Sequence, residues 1–98
     1  MKIAPFTYEI ITVPALPDAG SCQSDFETIL LSEVQSDAQR ADTLLHEALH
    51  AELNQGLGEQ LKGYDEKLEE TLCAFLAPRL IGLLRDNPAL VEFIKEAK

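Results

Sequence analysis

Apolar and polar positions follow two different periods along this chain. Residues 7–13, Thr-Tyr-Glu-Ile-Ile-Thr-Val, gather β-branched and aromatic types and stop at Pro14, which predicts a strand. Pro14, Pro17 and Gly20 punctuate residues 14–21, which read as a loop. The run Phe-Glu-Thr-Ile-Leu-Leu-Ser-Glu at 26–33 fits a strand or a short helix. Its shortness and its polar ending favour the strand.

From Ser36 onward the period becomes helical. Ser36 and Gln39 form a capping-box pair, each side chain able to reach the other's free backbone N–H. Apolar residues then recur at helical spacing to Asn54-Gln55-Gly56, a stop signal, which predicts a helix at about 37–55. Gly56, Gly58 and Gly63 mark a loop. A second helix is expected at about 65–85, kinked at Pro78, whose ring removes one N–H and crowds the carbonyl of Ala74. Asp86-Asn87-Pro88 ends it and opens a third helix at about 88–97, with Asn87 as N-cap and Pro88 at the first helical position. The chain therefore reads as α+β, short N-terminal strands followed by three helices.

The 98 residues make one small domain. With 46% apolar residues a core can form, but at this size a metal or a partner would add needed stability. Seventeen acidic against eight basic residues give a net charge of −9, which argues against nucleic acid and against an anionic membrane surface as partners. No apolar run approaches the roughly 18 residues of a spanning helix. Met1-Lys2-Ile3-Ala4-Pro5 lacks the pattern of a secretory leader, so a cytoplasmic chain is expected. Cys22 and Cys73 form no Cys-x-x-Cys pair and read as two reduced thiols used as small apolar residues.

The chemistry gathers on the first helix, in His46-Glu47-Ala48-Leu49-His50. Residues i and i+4 share one helix face, so both imidazoles can reach one ion at roughly 2.0–2.1 Å. The glutamate between them is turned about 100° from the first histidine, beside the open position of such an ion, where it can take a proton from water and pass it to a leaving amine. His46 and His50 are the only histidines in the chain. A catalytic zinc needs a third protein ligand. The second helix offers Asp65, Glu66, Glu69 and Glu70. Glu69 falls within the apolar stripe of Leu72, Cys73, Leu76, Leu80 and Leu83. Glu70 lies at its edge, beside the small residues Cys73, Ala74 and Ala77.

An H-E-x-x-H pair followed about twenty residues later by a glutamate opening a second helix resembles the gluzincin metallopeptidases. More closely, the segments Thr43–Ala51, Leu68–Ala77 and Leu83–Pro88 are similar to small phage and prophage zincin-like proteins related to the ImmA/IrrE metallopeptidases. The resemblance covers roughly residues 26–95. It implies a minimal zincin-like domain, Zn²⁺ held by His46, His50 and Glu70, and Glu47 as general base. In this family the ligand precedes a Leu-Ala or Phe-Ala pair by six residues, here Leu76-Ala77, which selects Glu70 over Glu69.

The resemblance also implies a protein or peptide substrate, in some relatives a phage repressor. The strand at 26–33 resembles the edge strand that zincins place above the zinc, to which an extended peptide adds. Two positions depart from the family. Ala74 stands where an acidic or amide residue often orients one histidine, leaving Asp42 as a candidate for that role. No third histidine exists to polarise the scissile carbonyl, and Tyr64 is the substitute the sequence offers. The alternative reading is an acidic interaction module, zinc-stabilised or metal-free, with the catalytic groups unused.

Overall fold

The computed structural model describes residues 1–14, 16–56 and 66–97. Five strands precede three helices: β1 (Lys2–Ile3), β2 (Phe6–Thr7), β3 (Glu9–Val13), β4 (Gly20–Gln23), β5 (Thr28–Ser32), α1 (Asp37–Gly56), α2 (Glu66–Asp86) and α3 (Pro88–Glu96). The α+β class and the three helices are as the sequence predicts.

The strands depart from expectation in an informative way. β1 and β2 form a small antiparallel hairpin, so the predicted 7–13 strand begins only at Glu9. Between β2 and β3, Tyr8 turns inward, is fully buried, and accepts a hydrogen bond at its hydroxyl from Gln55 Nε2 at 2.8 Å. The main sheet has the order β3-β5-β4. β3 runs parallel to β5, with Ile11 opposite Leu30, and β4 runs antiparallel, with Cys22 opposite Ile29. The expected edge strand at 26–33 is therefore the central strand, β5. The edges are β3 and β4, and β4 begins inside the stretch 14–21 expected to be loop. Four residues with a single half-buried apolar side chain, Cys22, give no alternating signal, and only the pairing with β5 makes them a strand.

Alternation on β5 buries Ile29 and Leu31 on one face. These meet Leu44, Ala48 and Ala51 of α1, whose spacing of four and three residues forms one helix stripe. Ile3 and Tyr8 complete this core. α1 carries the expected capping box: Ser36 N–H donates to Gln39 Oε1 at 2.9 Å and Gln39 N–H to Ser36 Oγ at 3.2 Å. Gln35 fastens the helix start to the sheet. Its Nε2 donates to the carbonyls of Ser32 and Ala19 at 2.8 and 3.2 Å, and its Oε1 accepts from Thr43 Oγ1 at 3.0 Å.

α2 packs against the other side of α1 and continues as a helix through Pro78. Its buried residues are Glu69, Cys73 and Ala77, while Leu72, Leu76 and Leu83, read from sequence as an inward stripe, are exposed. The inward face is the narrow one because small side chains let the two helices approach closely. Asn87 is the N-cap of α3 and Pro88 opens the helix, as expected. The Asn87 side chain makes no capping bond there and donates instead to the carbonyl of Leu83 at 2.8 Å, satisfying the end of α2.

Candidate metal centre

On α1, the stripe of Leu44, Ala48 and Ala51 faces the sheet, and His46 and His50 project some 160° to 120° away around the helix. They therefore face α2. Glu47 lies between these directions, under β4, and is only 7% exposed.

β4 reaches Glu47 because position 20 is glycine. A Cβ there would stand 2.6 Å from Thr43 Cγ2, 3.0 Å from the carbonyl oxygen of Leu30 and 3.4 Å from Glu47 Cγ. The edge strand thus rests on the H-E-x-x-H turn with backbone alone.

The first turn of α2 brings two adjacent carboxylates to the histidines, in two distinct roles. Glu70 meets the outer nitrogens, with Oε1 2.9 Å from His46 Nε2 and Oε2 2.7 Å from His50 Nε2. The two Nε2 atoms lie 3.2 Å apart. One ligand atom from each of His46, His50 and Glu70 falls within 4.8 Å of the others. Tetrahedral bonds of about 2.0–2.1 Å place ligand atoms about 3.3 Å apart, so this spacing fits a zinc-sized ion with little movement. The donor set, two imidazoles and one carboxylate, is one that zinc accepts in sites with an open fourth position. Glu70's side chain is 60% exposed, and the site opens on that side.

Glu69 turns the other way. It is buried, and its Oε2 lies 2.7 Å from His50 Nδ1. The Nδ1–H of His50 donates to it, which leaves Nε2 as the ligand nitrogen and fixes the ring plane. Glu69 thus fills the orienting role that the sequence left to Asp42. Asp42 instead lines the cleft beside His46, with a buried Oδ1 that accepts no hydrogen bond from the described residues. The sequence offers Glu69 only as a candidate third ligand; its place against His50 Nδ1 was missed because the family's spacing puts the orienting residue at Ala74. The signal was there, a carboxylate on the inward stripe of α2, which requires a partner. Tyr64 and Asp65 lie outside the described residues.

The charges follow from this packing. Burial pushes the Glu47 carboxyl above its ordinary value, with His46 and His50 pulling it back and Glu70 and Asp18 adding to the rise. Burial alone would lower His50. Its hydrogen bonds to Glu69 and Glu70, with the charges of Glu70 and Glu47, outweigh it and hold the imidazole above its usual range. Cys73, behind the site, is pushed up to about 11 by burial and by Glu69, Glu70 and Glu47, so it is an inert thiol. Cys22 is also free and raised, chiefly by burial.

Two clefts flank the β4–Glu47 contact. One, of about 450 Å³, is lined by Asp18, Gly20, Asp42, His46 and Glu70. The other, of about 300 Å³, is lined by Ser21, Cys22, His50, Asn54 and Glu69. Glu47 and Gly20 line both, so the carboxylate lies between the two clefts. Among the described residues no helix is long and apolar enough to cross a membrane. No known protein family, curated protein or solved structure matches the chain.

Proposed function

We propose that this chain is a minimal zinc-dependent peptidase acting on an extended peptide or protein segment. The observation that carries the reading is the convergence of His46, His50 and Glu70 beside a buried Glu47, under an edge strand whose outer side pairs with no described strand. Substrate backbone adds along β4, and its side chains enter the clefts on either side of Glu47. Zinc on the three ligands supplies Lewis acidity at the scissile carbonyl and makes water a nucleophile near neutral pH.

The protein's own groups do the rest. Glu69 holds the Nδ1 proton of His50, so that ring presents an unprotonated Nε2. Glu47, its carboxyl raised by burial, is a stronger base than an exposed glutamate. It takes one from the attacking water as the C–O bond forms. It returns that proton to the amide nitrogen as the C–N bond breaks, leaving a carboxylic acid and an amine. Burial of Glu47 against β4 keeps its carboxylate directed at the clefts.

Hydrolysis of a quenched-fluorophore library of random peptides tests this. Wild-type protein loaded with zinc is expected to cleave, and Glu47→Gln to bind zinc equally and lose activity by at least about 10²-fold. Cleavage that persists in Glu47→Gln, or a zinc-loaded wild type that cleaves nothing, contradicts the reading. In the second case a metal-stabilised interaction module is left.

A further inference from the structure

α2 has two apolar faces, and only one of them is covered within the described chain. Glu69, Cys73 and Ala77 face α1. About 120° around the helix, Leu68, Leu72, Phe75, Leu76 and Leu83 form a second stripe, with spacings of three and four residues. Phe75 on this stripe is 56% exposed. Arg79, the one charge between Leu68 and Leu83 on it, stacks over the Phe75 ring, 5.2 Å from its centroid. α3 extends the surface with Phe93, 71% exposed, and Ile94. From Pro78 to Ala97 no residue is buried, although α3 is strongly amphipathic. Helices of this length draw most of their stability from packing of an apolar face.

We infer that this α2–α3 face is the contact surface of a homodimer, each copy covering the other's stripe. Two features select a second copy as occupant. The first is charge. Residues 1–65 carry eleven acidic and three basic residues, a balance of −8, whereas 66–98 carry six and five, a balance of −1. Identical chains meeting through the first part would bring like charges together. Meeting through α2 and α3 they do not, and a basic partner would be drawn to the other part. The second is area. Seven large apolar side chains, on average about half exposed, present on the order of 700 Å² on this face, above the 300–600 Å² usual for the largest patch of a monomer. Two such faces approach the 1,200–2,000 Å² total of a stable interface. A two-fold axis across α2 makes the contact self-complementary, stripe on stripe. Glu70 points to the opposite side of α2, so the dimer leaves the metal centre open.

Sedimentation velocity on the full chain at micromolar concentrations tests this. The wild type is expected at twice 10.8 kDa. The double variant Leu72→Glu, Phe75→Glu is expected at 10.8 kDa, with unchanged helical circular dichroism and unchanged zinc binding. Phe93→Ser, at the edge of the patch, is expected to weaken the dimer without abolishing it, and serves if the double variant does not fold. A wild type that remains a monomer overturns the inference, as does a dimer indifferent to these substitutions. A monomer that instead holds a different protein on this face overturns it equally. Because zinc binding is read on the same samples, failure of the dimer is distinct from failure of the metal centre.

Discussion

Glu69 Oε2 lies 2.7 Å from His50 Nδ1, and the residue that follows it, Glu70, holds the opposite nitrogen of the same ring at the same distance. Two consecutive helix residues point about 100° apart, so one carboxylate goes inward to the imidazole Nδ1 while its neighbour stays at the mouth, where it could hold a metal ion. Glu69→Gln and Glu69→Ala are expected to lower zinc affinity by about 10–100-fold without changing the one-to-one stoichiometry. Competition against a chromogenic chelator measures this. Equal affinity in all three proteins would remove Glu69 from the site.

Loss of Glu70 has a different signature. Glu70→Ala removes one of the three proposed ligands, so zinc binding itself is expected to fail. The fold remains, because a side chain 60% exposed contributes little to the core. Zinc titration followed by thermal melting separates the two: the melting temperature should rise with zinc in Glu69→Gln and stay flat in Glu70→Ala.

The pH dependence has opposite signs with and without metal. In the metal-free protein His50 titrates above its ordinary 6.5. Its contribution to stability is fully present below 6.5 and is lost as pH rises through the elevated folded-state value. Glu47, also raised, acts in the same direction from its ordinary 4.5 upward. Zinc requires both Nε2 atoms unprotonated, so its affinity grows over that range. The zinc-induced rise in melting temperature should therefore widen from about pH 6 to about pH 8. A constant gap would contradict the assignment.

Gly20 is expected to tolerate no side chain. Gly20→Ala places a methyl 2.6 Å from Thr43 Cγ2 and 3.0 Å from a backbone carbonyl, so β4 or α1 must shift. A loss of about 1–3 kcal/mol in urea unfolding is expected, with reduced activity because the shift moves β4 off Glu47. Gly82→Ala is the control: nothing lies within 4 Å of its added Cβ, and in mid-helix it should gain about 0.5–1 kcal/mol.

Much of this molecule is legible in its sequence where a local signal carries the information. The capping box at Ser36 and Gln39 marks the start of α1, and the His46–His50 spacing fixes their common face. Gly20–Gln23 was illegible because its strand character comes from pairing with β5, a non-local cause. The inner face of α2 was legible in part: the small strip around Cys73 and Ala77 reads as the side that can approach α1, but the leucines beside it dominate the apolar pattern. Close helix packing prefers the small side chains, and the leucines were left outside. Asn87 stands at the N-cap position the sequence gives it, but its side chain serves the helix before it, because the Leu83 carbonyl lies within reach.

The central claim is that His46, His50 and Glu70 hold one metal ion. Elemental analysis of purified protein, with His46→Ala and Glu70→Ala prepared in parallel, tests it most directly. About one zinc per chain in the wild type, lost in both variants, is the predicted result. A wild type that stays metal-free after incubation with zinc at neutral pH would contradict it.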